Sequence, residues 1–221
     1  FHTAAKARVQ PSIIDPITFN KTNVDGTLTL LKMAVDSGVR RFVYSASSSA
    51  YGNTDIFPTP ESHPTNPLSP YGAQKLMGEI YCKTFSQVYN IETVSLRYFN
   101  VYGQNEPTKG IYAPVIGLFK KQMEENNGKV TIVGDGEQRR DFTHINDVVT
   151  ANVLAANSKI FNDTFNIGTG RNYSINDIAA MLDAARMFIP PRAGEARATL
   201  ADISKAEKLL GYKPVINFDD G

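Results

Sequence analysis

The apolar residues of the chain recur at two spacings, one typical of helices and the other typical of buried strands. Over residues 16–37 they recur every three or four positions, which predicts a helix that Gly38 closes as a C-terminal cap. Residues 41–45 form a short apolar run between two helical patterns, which predicts a buried, central, parallel strand. The helical spacing returns over residues 71–89, and a second buried strand is predicted at residues 92–96. Strands that alternate with helices in this way predict an α/β fold.

The rest of the chain continues this alternation. Residues 57–70 contain five prolines and predict an extended loop, because proline fixes φ and lacks an N–H donor. A later strand is predicted at residues 164–167, and later helices are predicted at residues 147–156 and 201–211. Residues 174–177 predict a capping box at the start of another helix.

Tyr71 and Lys75 stand four positions apart in the helix predicted at residues 71–89, so both side chains project from one face. A phenol has a reference pKa of about 10, and a fixed ammonium group nearby favours the phenolate. Tyr71 is therefore predicted to transfer protons near neutral pH, with a hydroxyl of the serine cluster at residues 45–49 completing the site. The alternative is an exposed pair on a solvated helix face, and the spacing by itself does not separate the two.

Several short motifs follow one another along nearly the whole chain. They are the serine cluster at 45–49, Tyr-Gly at 51–52, YGAQK at 71–75, LRYFNVYG at 96–103 and GDGEQRRDF at 134–142. This order resembles the extended short-chain dehydrogenase/reductase family, and within it the NAD-dependent epimerases that act on UDP-N-acetylglucosamine or UDP-glucose. The resemblance implies an NAD-binding Rossmann domain, which is a doubly wound parallel sheet, with a smaller α/β domain that binds the UDP-sugar.

The resemblance also implies a division of the chain into domains. Residues 1–103 and 141–168 correspond to the dinucleotide-binding domain, and residues 104–140 and 169–221 to the UDP-sugar-binding domain. The family's glycine loop and first strands have no counterpart in this sequence. The chain is therefore expected to lack the N-terminal part of the family pattern and, as it stands, to bind NAD poorly or not at all.

The catalytic residues of the family correspond to Ser47, Tyr71 and Lys75. In the family the tyrosine takes the proton of the C4 hydroxyl while a hydride passes to NAD; the 4-keto sugar then rotates and receives the hydride on its other face. The resemblance implies that NAD is contacted by Ala4, Ala5, Asn23, Ser45, Tyr71, Lys75 and Tyr98. It implies that the UDP-sugar is contacted by Ser48, Ser49, Asn100, Pro114, Val115, Thr131, Arg140, Arg192, Glu195 and Thr199.

Four of these residues have specific implied roles. Arg140 and Arg192 match two arginines that bind the diphosphate, a role that suits the planar fork of a guanidinium. Glu195 stands where the family usually has an aspartate that binds the ribose. Thr199 matches the residue beside the C2 substituent of the sugar, where a small side chain leaves space for an N-acetyl group.

Three other functions are weighed against 4-epimerisation of these sugars. The related 4,6-dehydratases carry an Asp-Glu pair where this chain has Ser49 and Ala50, so dehydration lacks its acid and base. A UDP-glucuronate 4-epimerase or decarboxylase would share the Tyr-Lys pair, but it needs a cation for the C6 carboxylate that the sequence does not locate. The third alternative is a truncated, inactive protein that still binds nucleotide sugars.

Composition narrows the class of protein further. The chain has 221 residues, 42% of them apolar, and a net charge of +1 with scattered basic residues, which argues against a nucleic-acid partner. No apolar run reaches the length of a membrane span, and no signal peptide opens the chain. Cys82 is the single cysteine, which favours a reducing cytoplasm, and the histidines are too scattered to predict a metal site. The apolar second face of residues 76–88 is compatible with the homodimer that the resemblance implies.

Overall fold

The structure is a computed structural model, and it describes residues 1–106 and 114–220. Its strands are β1 (Arg41–Ser47), β2 (Glu92–Tyr98), β3 (Asn100–Tyr102), β4 (Lys129–Val133), β5 (Arg139–Arg140), β6 (Phe142–His144), β7 (Asp163–Ile167), β8 (Tyr173–Ser174) and β9 (Ala185–Ile189). Its helices are α1 (Val9–Ile14), α2 (Pro16–Asn20), α3 (Gly26–Asp36), α4 (Pro70–Tyr89), α5 (Val115–Glu125), α6 (Ile145–Asn157), α7 (Ile175–Met181) and α8 (Ser204–Leu210). A π-helical turn joins α2 to α3 at Lys21–Asp25, and short 3-10 turns lie at Ser48–Ala50 and Phe218–Asp220.

Three parallel strands form the main sheet in the order β1, β2, β7. β1 and β2 pair along their whole length. A single parallel bridge between His2 and Tyr44 lies on the other edge of β1. The parallel direction predicted for residues 41–45 is therefore confirmed, and their strand lies between β2 and this bridge.

Helices cover both faces of the main sheet. α3 and α4 pack on one face, and α6 and α8 pack on the other. Along β2, Val94 and Leu96 point into the core beneath α6, whereas the Thr93 hydroxyl faces α4 and donates to the Cys82 carbonyl at 2.9 Å. Each fully buried aliphatic side chain of this kind contributes about 1.5–3 kcal/mol, so the apolar layers hold the sheet in place.

A second apolar core joins β3, β4 and β6 to α5 and α7. Its outer strand β9 pairs in parallel with β4 and was not predicted from the sequence. The division into two domains stays a prediction. α8 and Tyr212, which lie in the range assigned to the second domain, pack in the core of the main sheet.

The predicted helices are present, with differences inside them and at their ends. Residues 16–36 are helical throughout, but the stretch contains the π-helical turn; Gly38 follows it with a φ of 67°, as expected for a cap. The last helix begins at Ser204, three residues later than predicted, because the Asp202 carboxylate accepts the Ser204 N–H. The capping box predicted at residues 174–177 is confirmed. Within the described ranges, none of the helices combines the length and the apolar character that a membrane crossing requires.

Candidate active site

The candidate active site is a cleft of about 850 Å³ into which the carboxyl ends of β1 and β2 open. Open parallel sheets place their ligands at this edge. Most of the residues predicted for the site line the cleft, namely Ser47, Ser48, Ser49, Tyr71, Tyr98, Asn100, Pro114, Val115, Thr131, Arg140, Arg192, Glu195 and Thr199. The predicted residues outside its lining are Ala4, Ala5, Asn23, Ser45 and Lys75.

The start of α4 is held tightly against the end of β1. Ser69 caps the helix by accepting the Gly72 N–H at 3.2 Å, and Ser12 of α1 accepts the Tyr71 N–H at 3.0 Å. A Cβ atom at Gly72 would lie 2.6 Å from the carbonyl oxygen of Ser49, well inside normal contact distance. The lack of a side chain at Gly72 therefore lets α4 bring Tyr71 against the serine segment.

Replacing Gly72 with alanine is expected to lower both stability and activity. The added methyl group must push the start of α4 away from the Ser49 backbone, and overpacking of this kind costs about 1–3 kcal/mol. A displacement of Tyr71 by about 1 Å lowers turnover by up to about a hundredfold. Urea unfolding and a turnover assay measure the two effects. Gly26→Ala is the matched control, because its Cβ would meet only the Lys21 carbonyl, at 3.6 Å; equal behaviour of the two variants would contradict the prediction.

Tyr71 is half-buried, and its phenol lies near enough to the Ser47 side chain for that hydroxyl to lower its pKa. Burial raises the pKa of Tyr71, whereas the Ser47 hydroxyl and the charge of Arg8 lower it. The net shift is upward because burial outweighs these two groups, and the effect predicted from the sequence for Lys75 on this pKa stays a prediction.

Lys75 is buried one helical turn after Tyr71. Its Nζ donates to the Ser45 carbonyl at 2.8 Å and lies 5.1 Å from the centre of the Tyr44 ring. Burial lowers the pKa of Lys75 to about 8, so the side chain is largely protonated at neutral pH. An ammonium group has three N–H donors, and within the described residues Ser45 is its one hydrogen-bond acceptor. Two donors remain for ribose hydroxyls, so the residue fits the nicotinamide ribose of NAD.

Tyr98 and Ser45 form a small polar cluster at the ends of β1 and β2. The Tyr98 hydroxyl lies 3.1 Å from Ser45 Oγ and donates to Asn152 Oδ1 at 3.0 Å. The ring of Tyr98 is thereby fixed at the cleft wall. Contact of this ring with the nicotinamide stays a prediction.

Asn23 lies in the π-helical turn and is almost fully buried. Its side-chain amide forms two hydrogen bonds with the backbone of Lys6. Nδ2 donates to the Lys6 carbonyl at 2.9 Å, and Oδ1 accepts the Lys6 N–H at 2.8 Å. Nδ2 also donates to Gln74 Oε1 at 3.0 Å. In this structure Asn23 fastens the segment that carries Ala4 and Ala5 to α4, and it reaches the cleft only through that segment.

A second group of cleft residues supplies charge. Arg140 Nη2 lies 3.8 Å from a carboxylate oxygen of Glu195, and Arg140 Nη1 donates to the Arg139 carbonyl at 2.9 Å. Thr199 is held beside them, since its N–H donates to the same Arg139 carbonyl at 3.0 Å. The guanidinium of Arg140 is therefore oriented within the cleft before any anion binds.

Several polar residues of the cleft were not predicted from the sequence, among them Arg8, Gln10, Glu106 and Gln138. The first two adjoin α1, a helix of six residues that is too short to show a clear apolar period. No group of three or more His, Cys, Asp or Glu side chains that could hold a metal ion occurs in the part of the chain that the structure describes.

A model of the NAD dependent epimerase/dehydratase family matches residues 1–168. The chain belongs to this family. A putative UDP-glucose 4-epimerase of Methanocaldococcus jannaschii is 39% identical over 100% of this chain and 73% of its own length. The UDP-glucose 4-epimerase of Mycolicibacterium smegmatis is 34% identical over 100% of this chain and 72% of its own length.

Solved structures of UDP-sugar 4-epimerases share the fold. UDP-glucose 4-epimerase of Thermotoga maritima, bound to UDP-glucose, matches with a TM-score of 0.96 and 38% identity over 100% of this chain and 73% of its own. UDP-glucuronic acid 4-epimerase of Bacillus cereus, bound to UDP-glucuronic acid and NAD, matches with a TM-score of 0.93 and 36% identity. The match covers 100% of this chain and 71% of the other. UDP-N-acetylglucosamine 4-epimerase of Methanobrevibacter ruminantium, bound to UDP-N-acetylmuramic acid, matches with a TM-score of 0.91 and 34% identity. The match covers 97% of this chain and 70% of the other. The predicted family, fold and NAD dependence are confirmed, and the relatives differ in their sugar.

Proposed function

We propose that this protein interconverts UDP-N-acetylglucosamine and UDP-N-acetylgalactosamine, or UDP-glucose and UDP-galactose, by transient oxidation at C4. The observation that carries the proposal is that Tyr71 and Ser47 line the same cleft as Arg140 and Glu195. A proton-transfer group and an anion-binding group that face one cavity suit a substrate with a reacting sugar at one end and a diphosphate nearby. The UDP-sugar 4-epimerases among the relatives support this reading.

Four residues of the chain have defined tasks in the proposed reaction. Tyr71, as the phenolate, accepts the proton of the C4 hydroxyl and later returns it. Ser47 donates a hydrogen bond that orients the C4 oxygen, and Arg140 holds the diphosphate. Lys75 would hold the nicotinamide ribose through its two remaining N–H donors. Bound NAD would supply the hydride acceptor for C4, and because the oxidation is reversed within the same turnover, no second substrate would be consumed.

The test is a chromatographic assay of the full-length protein with NAD and each UDP-sugar in turn. Formation of UDP-N-acetylgalactosamine or UDP-galactose supports the proposal. Recovery of unchanged sugars from protein that has bound both NAD and UDP would overturn it.

Thr199 is the proposed determinant of sugar size, and a tyrosine there is expected to discriminate against N-acetylated sugars. Thr199 lines the cleft, and its backbone is fixed by the Arg139 carbonyl, so a larger side chain must project into the cavity or displace β5. In Thr199→Tyr we expect kcat/KM for UDP-N-acetylglucosamine to fall at least about tenfold relative to UDP-glucose, a difference of about 1.4 kcal/mol. Thr199→Ser is the control and should keep the wild-type ratio. An unchanged ratio in the tyrosine variant would remove Thr199 from the sugar site.

UDP-glucuronate is a second candidate substrate. The specific observation in its favour is Arg8, a guanidinium in the cleft that could meet a C6 carboxylate and that the sequence analysis did not identify. Formation of UDP-galacturonate in the same assay would favour this candidate over the first.

We propose that the protein is a homodimer and that it works in the cytoplasm. In support, α3 and α4 expose the apolar side chains of Met33, Met77 and Ile80 to solvent. Sedimentation of the full-length protein tests this part of the proposal.

A further inference from the structure

Asp141 is a fully buried acid that follows Arg140 directly in the chain and lies behind the cleft wall. Among the described residues, its carboxylate accepts hydrogen bonds from four neutral donors. Oδ1 accepts the N–H and the hydroxyl of Thr169, each at 2.8 Å, and Oδ2 accepts the N–H groups of Gly170 and Ala201, each at 3.1 Å. A buried carboxylate is costly unless such donors replace water, so these four bonds fix its surroundings.

A glycine gives the carboxylate room for these contacts. A Cβ atom at Gly168 would lie 2.8 Å from Asp141 Oδ2 and 2.4 Å from the Cβ atom of Ala201, well inside normal contact distance. Any side chain at residue 168 would have to push Asp141 and Ala201 away. The lack of a side chain there therefore lets the turn after β7, Asp141 and Ala201 meet.

The backbone of Asp141 is bonded to two residues of the cleft. Its carbonyl accepts the N–H of Asn100, at the start of β3, at 2.9 Å. Its own N–H donates to the Thr199 hydroxyl at 3.4 Å. Arg140, Asn100 and Thr199 all line the cleft, and all three were predicted from the sequence to contact the UDP-sugar. Asp141 therefore adjoins one predicted substrate residue in each of three segments of the cleft wall.

The part of the wall formed by residues 192–199 has an anchor at each end. At its start, Gln10 Nε2 donates to the Ala193 carbonyl at 2.7 Å and joins the segment to α1. At its end, the bond from the Ala201 N–H to the Asp141 carboxylate joins it to the connection between β5 and β6. The second anchor is the one that determines how far the segment lies from Arg140.

A separate contact keeps this end of the segment folded when Asp141 is altered. The Thr59 N–H donates to the Leu200 carbonyl at 2.8 Å, and the Asp202 N–H donates to the Thr59 carbonyl at 3.0 Å. These two bonds lie on either side of Ala201 and are independent of the Asp141 carboxylate. A substitution of Asp141 should therefore change the position of the segment rather than unfold it.

We propose that Asp141 is a positioning residue that holds Arg140, Asn100 and Thr199 in one arrangement for the UDP-sugar. This role rests on the proposed function of the cleft. The carboxylate suits the task because its two oxygens accept all four donors at once, whereas the side chain of asparagine offers one oxygen and one NH2 group.

The expected effect is a loss of affinity with little loss of turnover. In Asp141→Asn one oxygen becomes an NH2 group that faces N–H or O–H donors, so two of the four hydrogen bonds are lost. The segments that carry the substrate residues can then move apart, which weakens binding of the ground state and the transition state alike and raises KM. Tyr71 is held separately, through the bond from its N–H to Ser12, so kcat should be retained.

The first experiment compares Asp141→Asn with Asp147→Asn in the full-length protein loaded with NAD. Asp147 on α6 is the matched control, since it is 2% exposed and its carboxylate accepts the N–H groups of Val215 and Ile216, away from the cleft lining. Urea unfolding should show that both variants are less stable. KM for the UDP-sugar should rise at least about tenfold in Asp141→Asn alone, with kcat within about threefold of wild type. Equal KM values in the two variants, or a loss of kcat at unchanged KM, would overturn the proposal.

The second experiment requires no turnover and decides the question if Asp141→Asn does not fold. Thr169→Val removes the hydroxyl that donates to Asp141 and keeps the N–H that does so, whereas Thr169→Ser keeps both donors. Calorimetry should give a dissociation constant for UDP at least about threefold higher in Thr169→Val than in Thr169→Ser. Equal constants would overturn the proposal. A higher constant in a protein that converts no UDP-sugar would contradict only the proposed function.

Discussion

Replacing Tyr71 with phenylalanine is expected to abolish epimerisation while leaving nucleotide binding intact. The substitution removes one oxygen atom and keeps the ring that packs at the start of α4. Positioned acid–base groups contribute about a hundredfold to ten-thousandfold to a reaction, and Tyr71 is the phenol whose pKa the Ser47 hydroxyl lowers. Turnover should therefore fall by about a thousandfold, whereas the dissociation constant for UDP, measured by calorimetry, should stay within about twofold of wild type.

The matched control for this variant is Tyr89→Phe. Tyr89 lies at the last turn of the same helix, about half exposed, with its ring against Phe85. Its loss of a hydroxyl should leave turnover unchanged. If Tyr71→Phe kept most of its activity, the proton acceptor would have to be another group. The role assigned to Ser47, which depends on Tyr71, would then be wrong as well.

Replacing Glu79 with glutamine is expected to produce a large loss of stability. Glu79 on α4 and Arg97 on β2 form a buried ion pair with three short contacts, of 3.0, 3.1 and 2.7 Å. Both side chains are less than 10% exposed, so the substitution leaves a buried guanidinium without its counter-charge. Breaking a buried pair by removing one partner costs about 3–5 kcal/mol. Urea unfolding of Glu79→Gln should show a free energy of unfolding lower by about this amount.

Two further variants make this measurement decisive. The double variant Glu79→Leu/Arg97→Met removes both charges and should recover most of the loss, because two apolar side chains need no counter-charge. Glu125→Gln breaks an exposed pair with Lys121 and should change stability by less than about 1 kcal/mol. If Glu79→Gln lost no more than Glu125→Gln, the pair would not be a significant stabilising contact.

The strands and helices of the main sheet were predictable because their apolar runs carry a clear period. β9 was not predicted, since four of its five residues are exposed and its pattern carries no signal of burial. The π-helical turn at Lys21–Asp25 was also not predicted from the sequence, because its apolar residues keep the helical spacing of the surrounding residues. Local sequence therefore predicted the buried elements and missed those set by a neighbouring strand or by one extra hydrogen-bonded residue.

The residues of the candidate site also include some that the sequence predicted and some that it did not. The cleft residues at the carboxyl ends of strands, such as Ser47 and Tyr98, were predicted because motif and position agree. Arg8 was not, because its place in the cleft depends on a strained backbone, with a φ of 106°, and on contacts with distant segments. The pairing of Glu79 with Arg97 was also missed, since two ionisable residues in different elements reveal their contact only when the sheet is assembled.

The hydrogen bond between Gln10 and the Ala193 carbonyl joins two residues that lie 183 positions apart. The cleft wall on that side consequently needs both an early and a late part of the chain. Since α8 and Tyr212 also complete the core of the main sheet and come after Ala193 in the chain, the sheet and the pocket are completed at the same late stage of synthesis. A nascent chain without this last part therefore has neither a complete core nor a complete pocket. In the finished protein, a bound nucleotide would contact both parts of the wall. Binding should therefore protect the early and the late segment of the chain from proteases together.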